Sequence, residues 1–106
     1  MPVDIGVCAY LQIPQPDLAD ALDNLIENIK PGGYLMGVWH ARENLDGGFG
    51  GPQDPAVLPT ASEIQDFLSD YPVEIEFLGN REGQVQTRDG LKPSTTLVLL
   101  AKVNKQ

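Results

Sequence analysis

The segment Asp17 to His40, DLADALDNLIENIKPGGYLMGVWH, constrains the fold more than any other part of the chain. Leu18, Leu22, Leu25, Ile26 and Ile29 recur at helical spacing, which predicts an amphipathic helix over Asp17 to Ile29. Asp17 is placed to cap it, and Asp20 and Asp23 lie toward the positive end of its dipole. Lys30-Pro31-Gly32-Gly33 then stops it, because proline biases Lys30 away from helical geometry and glycine tolerates positive φ. Tyr34 to Trp39 is apolar throughout and reads as a strand covered on both faces. Ahead of the helix, Val3 to Leu11 alternates Val3, Ile5, Val7, Ala9 and Leu11 with Asp4, Gly6, Cys8 and Tyr10. That predicts a first strand largely buried on both sides. Strand, helix and strand at these lengths make a right-handed parallel βαβ unit.

The rest of the chain extends this unit. Ala41 to Pro59, ARENLDGGFGGPQDPAVLP, is a long loop rich in Gly and Pro. Thr60 to Tyr71 predicts a second helix, opened by a capping box of Thr60 with Glu63 and burying Ile64, Phe67 and Leu68. In VEIEFLG, Val73, Ile75 and Phe77 alternate with Glu74 and Glu76, the pattern of a half-exposed edge strand. Gly79 to Ser94 reads as a long loop or an extended ribbon. TTLVLLAKV from Thr95 is apolar over Leu97 to Ala101 and reads as an interior strand. The expected fold is α/β, in the order β-α-β-α-β-β. The polar third strand is outermost, and the last strand lies antiparallel between the second and the third.

Composition sets limits. The chain has 106 residues, enough for one domain over 1–106. Seven Lys and Arg against fifteen Asp and Glu give a net charge of -8, with no basic cluster. Nucleic acid and anionic membrane are therefore not the expected partners, since both need clustered cations. Cys8 is the only cysteine and His40 the only histidine, so there is no internal disulfide and no zinc or other metal constellation. The lone cysteine, with no signal peptide or long apolar run, fits a cytoplasmic location.

With this element order in hand, IKPGGYLMGV resembles the L-K-P-G-G turn before the fifth strand of Rossmann-like methyltransferases that use S-adenosylmethionine (SAM). ENLDGGFGGPQDPAVLPTASEI and REGQV look like the type 12, or tellurite-resistance-like, subgroup. The likeness spans essentially the whole chain and corresponds to the family's strands four to seven. The family's first three strands have no counterpart here, nor do its glycine-rich cofactor loop and its ribose-binding acid. Gly47 to Gly51, GGFGG, is no substitute, because it follows the wrong strand and opens no helix. The resemblance thus implies the C-terminal portion of a methyltransferase that acts on an unknown, small-molecule acceptor. SAM would serve the intact parent, and this chain alone would bind no cofactor and be inactive. In the family the first strand pairs with the fourth. Its absence would leave the edge of Val3 to Leu11 bare, and a two-fold homodimer or other pairing through that edge is expected.

Chemistry in open α/β sheets gathers at the carboxyl ends of strands. By the resemblance, Tyr10 and Gln12 sit where the family approaches the cofactor's methionine part and the acceptor. Subgroup members often carry histidine near Gln12, so this chain departs from the pattern there. His40, at the end of the second strand, is the candidate general base. Trp39, Glu43 and Asn44 are candidates for an acceptor pocket, although Trp39 equally suits the core and the other two suit local turns.

Two other readings compete. The element order is also most of a thioredoxin fold, with Pro72 where such folds place a cis proline. No C-x-x-C motif accompanies it, and Cys8 lies inside a strand. The chain also suits a non-catalytic interaction half-domain that pairs with a separate polypeptide.

Overall fold

A computed structural model of the chain describes residues 3–45, 48 and 54–104. The elements are β1 (Val3–Ala9), α1 (Gln15–Asn28), β2 (Ile29–His40), two 3-10 turns (Arg42–Leu45 and Pro55–Val57), α2 (Ala61–Leu68), β3 (Val73–Thr87) and β4 (Gly90–Val103). They form one mixed sheet in the order β1-β2-β4-β3. β1 is parallel to β2, and β4 runs antiparallel between β2 and β3. This is the arrangement expected from the sequence. Its three-layer logic is incomplete, however, because both helices lie on the same face of the sheet.

Handedness explains that placement. β1 to β2 is a parallel crossover through α1, and β2 to β3 is a second parallel crossover through α2 that steps over β4. Both steps run in the same direction across the sheet. With the same right-handed sense, both helices must land on one side. Leu18, Leu22 and Ile26 of α1 and Ile64 and Leu68 of α2 pack there against Cys8, Leu35, Trp39, Leu97, Leu99, Ala101 and Val103. Leu35, Trp39, Leu97, Leu99, Ala101 and Val103 are all fully buried.

The opposite face has no such layer among the described residues. Val7 and Ile5 are about half exposed, at 52% and 49%, which corrects the expectation that β1 is buried on both sides. β4 likewise alternates between buried and half-buried residues instead of being covered on both faces. The apolar content of these strands was read correctly from the sequence. The described residues do not supply a cover for their second face.

Several boundaries also move. α1 starts two residues before Asp17, and its N-cap is Pro14, with no side-chain cap bond. Pro16 in the first turn needs no N–H there, and Asp17 still meets the positive dipole end. The helix stops at Asn28, and Ile29 is already extended. Lys30 to Gly33 belongs to β2, where it bulges out: Val3 faces Ile29, whereas Ile5 faces Tyr34. Gly32 takes φ +86, which only glycine adopts without cost. α2 is shorter than expected, but its capping box forms in full: Glu63 N–H donates to Thr60 Oγ1, and Glu63 Oε1 accepts from Thr60 N–H.

The ribbon reading of Gly79 to Ser94 holds. β3 and β4 form one long hairpin, closed at Arg88-Asp89. A bulge at Glu76 breaks the alternation predicted for β3. Ile75 pairs with Ala101 and Phe77 with Leu100, so the two side chains point to opposite faces.

Candidate functional site

The carboxyl ends of β1 and β2 lie side by side, and the chain does something unusual there. β1 runs in register with β2 as far as Ala9 opposite Val38. The N–H of Tyr10 makes the last main-chain bond, to Val38 O at 2.6 Å. Tyr10 then takes φ 56, the one positive φ at a non-glycine among the described residues. For a bulky side chain this left-handed conformation costs on the order of 1 kcal/mol, and such strain collects at functional sites. The turn swings the half-exposed Tyr10 ring against His40, with ring centroids 5.0 Å apart and planes tilted by 44°.

After Tyr10 the main chain leaves β2, and the Gln12 side chain takes over the pairing. Its Oε1 accepts from His40 N–H at 2.7 Å, while its Nε2 donates to Val57 O at 2.6 Å and more weakly to His40 O at 3.5 Å. A primary amide has the donor and acceptor of a peptide group, so Gln12 serves as a detached rung of the β1–β2 ladder. It ties the end of β2 to the second 3-10 turn.

His40 is therefore held on three sides. Gln12 fixes its main chain, Thr96 of β4 pairs with it across the other edge, and Tyr10 lies over its ring. Its Nδ1 is buried and has no hydrogen-bond partner. A desolvated ring nitrogen left without a partner is uncommon, because burial removes its water and the protein normally replaces it.

The described residues that follow His40 are pinned to neighbouring elements. Ala41 N–H donates to Thr95 O, and Asn44 is buried with its Oδ1 accepting from Thr95 N–H at 2.7 Å. Arg42 Nε donates to Pro55 O and Leu58 O, and its Nη2 meets Glu63 Oε1 at 2.7 Å. Partial burial pushes the Glu63 carboxyl up, but Arg42 and both polar groups of Thr60 outweigh it. The net position is below the ordinary value.

The six residues singled out from the sequence thus divide. Tyr10 and His40 meet and form the exposed part of the site. Gln12 reaches it only through its amide, which is engaged with main chain. Glu43 is exposed in the first 3-10 turn, and Asn44 is committed to that turn's attachment to β4. Trp39 is fully buried on the helix face, where its ring lies so close over Gly37 that a Cβ there would sit 2.2 Å from it. GGFGG falls outside the described residues except for Gly48. The left-handed Tyr10 and the rung made by Gln12 carry no sequence signal. The prolines of QIPQP mark a turn but not its geometry.

Cys8 is buried, and burial pushes its thiol above the ordinary value even though Trp39 and the Leu11 main chain act the other way. That is the opposite of a redox cysteine, which needs an accessible thiolate. No peptide bond among the described residues is cis, so the cis proline of the thioredoxin-like reading is absent at Pro72. Among the described residues no group of His, Cys, Asp and Glu is placed to hold a metal, and no helix is long and apolar enough to cross a membrane.

No family model and no curated protein matches the sequence. Solved structures do match. A SAM-dependent methyltransferase from Methanosarcina mazei is 17% identical with a TM-score of 0.67, over 98% of this chain and 60% of that one. The N-methyltransferase NodS from Bradyrhizobium japonicum, in complex with S-adenosyl-L-homocysteine, is 16% identical with a TM-score of 0.65, over 98% of this chain and 47% of that one. Alba from Thermoplasma volcanium is 8% identical with a TM-score of 0.54, over 92% of this chain and 99% of that one. At these identities the likeness establishes a fold consistent with Rossmann-like methyltransferases. The chain spans about half the length of the two methyltransferases, whereas the third match is covered almost entirely.

Proposed function

We propose that this chain is the acceptor-side portion of a SAM-dependent methyltransferase of the type 12 kind, inactive by itself. The observation that carries the reading is the Tyr10–His40 pair, with its buried, unpartnered Nδ1 at the carboxyl ends of two adjacent parallel strands. This is where open α/β sheets place their chemistry. Both crossovers step one way across the sheet, so the reversal of direction that creates a ligand crevice would fall at the outer edge of β1, beside Tyr10.

The residues present do not fit the cofactor as a whole. No described carboxylate stands at the end of β1 to hold ribose hydroxyls, and the Gln12 amide is already engaged. SAM in this reading is gripped by polypeptide outside the 106 residues. What the chain supplies is the acceptor side. Tyr10 offers a ring face and a hydroxyl for orienting a small acceptor. His40 is the candidate base for the acceptor's O–H or N–H proton. Gln12 holds the His40 main chain in place, and Glu43 lines the entrance.

Two measurements test this. The coding DNA upstream of Met1 is expected to encode, in the same or an adjacent reading frame, a strand followed by a glycine-rich loop and helix. A locus without one overturns the proposal. Calorimetric titration of SAM into the 106-residue chain is expected to give no heat, and into the chain joined to the upstream segment to give stoichiometric binding. In the joined protein, His40→Asn lowers methyl transfer by about 10²-fold or more while leaving SAM affinity unchanged. Stoichiometric heat from the short chain alone would show that the site is already complete.

A further inference from the structure

The outer edge of β1 carries the largest concentration of exposed apolar side chains among the described residues. Ile5, Val7, Tyr10 and Leu11 are exposed by 49, 52, 51 and 37%. Among the described residues β1 pairs on one side only. Beside it runs a groove of about 420 Å³ between the strand and α1, lined by Val7, Cys8, Leu11, Ala21, Asn24 and Leu25.

The charge distribution around this edge says what fits it. The chain as a whole carries -8. Along 3–13 the only charge is Asp4, and Lys30 is ion-paired with it. The flank of α1 that borders the groove presents Ala21, Asn24, Leu25 and Asn28, all uncharged. Of the acids of α1, Asp23 accepts a hydrogen bond from Tyr71, and Asp17 stands one turn before Ala21 at the end of the groove. In a strongly acidic chain, 3–13 and the flank from Ala21 to Asn28 still set little charge against a second copy. A cationic partner has nothing to bind here, and an apolar, self-complementary one does.

We propose that a second copy of this chain adds to β1 about a two-fold axis, joining the two four-stranded sheets into one of eight strands. A two-fold axis normal to the sheet makes the new pairing antiparallel. The register follows from which groups are free. Tyr10 N–H points at β2, bonding Val38 O, so alternation turns the N–H and C=O groups of Val3, Ile5, Val7 and Ala9 outward. The register that uses all four and overlaps the whole strand is centred on Gly6. Ile5 then exchanges hydrogen bonds with Val7 of the other copy, and Asp4 stands opposite its Cys8. On the open face, Ile5 and Val7 cover one another as β-branched cross-strand pairs. The Ala21, Asn24, Leu25 and Asn28 flanks of α1 meet across the grooves. Each Tyr10 lies eight residues along the strand from its twin, roughly 27 Å, so both strand-end sites stay open. The pairing is proposed for the 106-residue chain by itself; polypeptide that adds a strand to β1, as the methyltransferase reading requires, would take its place.

Sedimentation of the 106-residue chain tests it. A dimer that tightens with added salt is expected, because screening relieves the mutual repulsion of two acidic copies. Val7→Pro removes an outward N–H and leaves the β1–β2 ladder intact. It is expected to weaken the dimer at least about thirtyfold, with an unchanged circular dichroism spectrum. A monomer at all salt concentrations or a Val7→Pro dimer as tight as the parent would each overturn the proposal.

Discussion

The two faces of the sheet belong to the same four strands and have opposite fates. On one, Leu35, Leu97, Leu99 and Val103 are sealed under α1 and α2. On the other, Val7 and Ile5 stand half in water, and Val98 and Leu100 are only partly covered by their neighbours. Side-chain chemistry separates the faces only in part, since Tyr34, His40, Thr96 and Lys102 share the open one with Met36, Val38, Val98 and Leu100. Crossover direction does the rest, because two right-handed connections that step the same way can cover only one side. A strand pattern apolar on both sides therefore does not by itself say that both faces are covered. The connections decide which face receives helices.

The largest expected effect breaks the comparison at matched chemistry. Leu35→Ala empties a fully buried position beneath the helices and is expected to cost about 2–5 kcal/mol of unfolding free energy. Val7→Ala, on a residue about half exposed, is expected to cost under about 1 kcal/mol. Urea unfolding followed by circular dichroism measures both. Equal losses would mean that the open face is covered in solution. Together with a monomer by sedimentation, they would point to cover from within the chain.

How much of this was legible beforehand follows the same line. Element order, the antiparallel β4 between β2 and β3, and the Thr60–Glu63 box were all readable. Each rests on local periodicity or on a short-range hydrogen bond whose partners are three residues apart. The bulge at Glu76 was not, because inserting one residue leaves the alternation of Val73, Ile75 and Phe77 looking intact while rotating Phe77 to the other face. In the site, His40 at the end of β2 followed from strand length. The left-handed Tyr10 and the Gln12 rung did not, because both depend on where β1 parts from β2, a tertiary event with no residue signature.

A smaller effect probes how the helix layer is fastened. Glu63 closes the α2 cap and pairs with Arg42, which in turn holds the loop carbonyls of Pro55 and Leu58. Its folded carboxyl lies below the ordinary value of 4.5, despite partial burial, because Arg42 and Thr60 favour the charged form. The stability it contributes is thus complete above that value and is lost as pH falls through the lower folded one. Glu63→Gln is expected to cost about 0.5–1 kcal/mol at neutral pH, allowing for its contact with solvent. The gap from the parent should be constant down to about pH 5 and close below it. Thermal unfolding across that range gives the curve, and a gap that persists in acid would assign the effect to shape rather than charge.

The smallest effect lies where α2 hands over to β3. Tyr71 donates its hydroxyl proton to Asp23 of α1 at 2.6 Å, the side-chain bond that ties the end of one helix segment to the other helix. The carboxylate stabilises the protonated phenol, and with lesser help from burial and from Glu27 and Asp20 its pKa is pushed up to about 12. A folded value above the unfolded one means that the bond contributes fully below about pH 10 and fades as pH rises toward 12. Spectrophotometric titration of the three tyrosines should show a late phase that Tyr71→Phe removes. At neutral pH the same substitution should shift stability only slightly, since the pair is open to solvent. An unchanged late phase in the variant would place the Asp23 contact elsewhere. The covered face would then be held by apolar packing alone, with no polar fastening between its two helices.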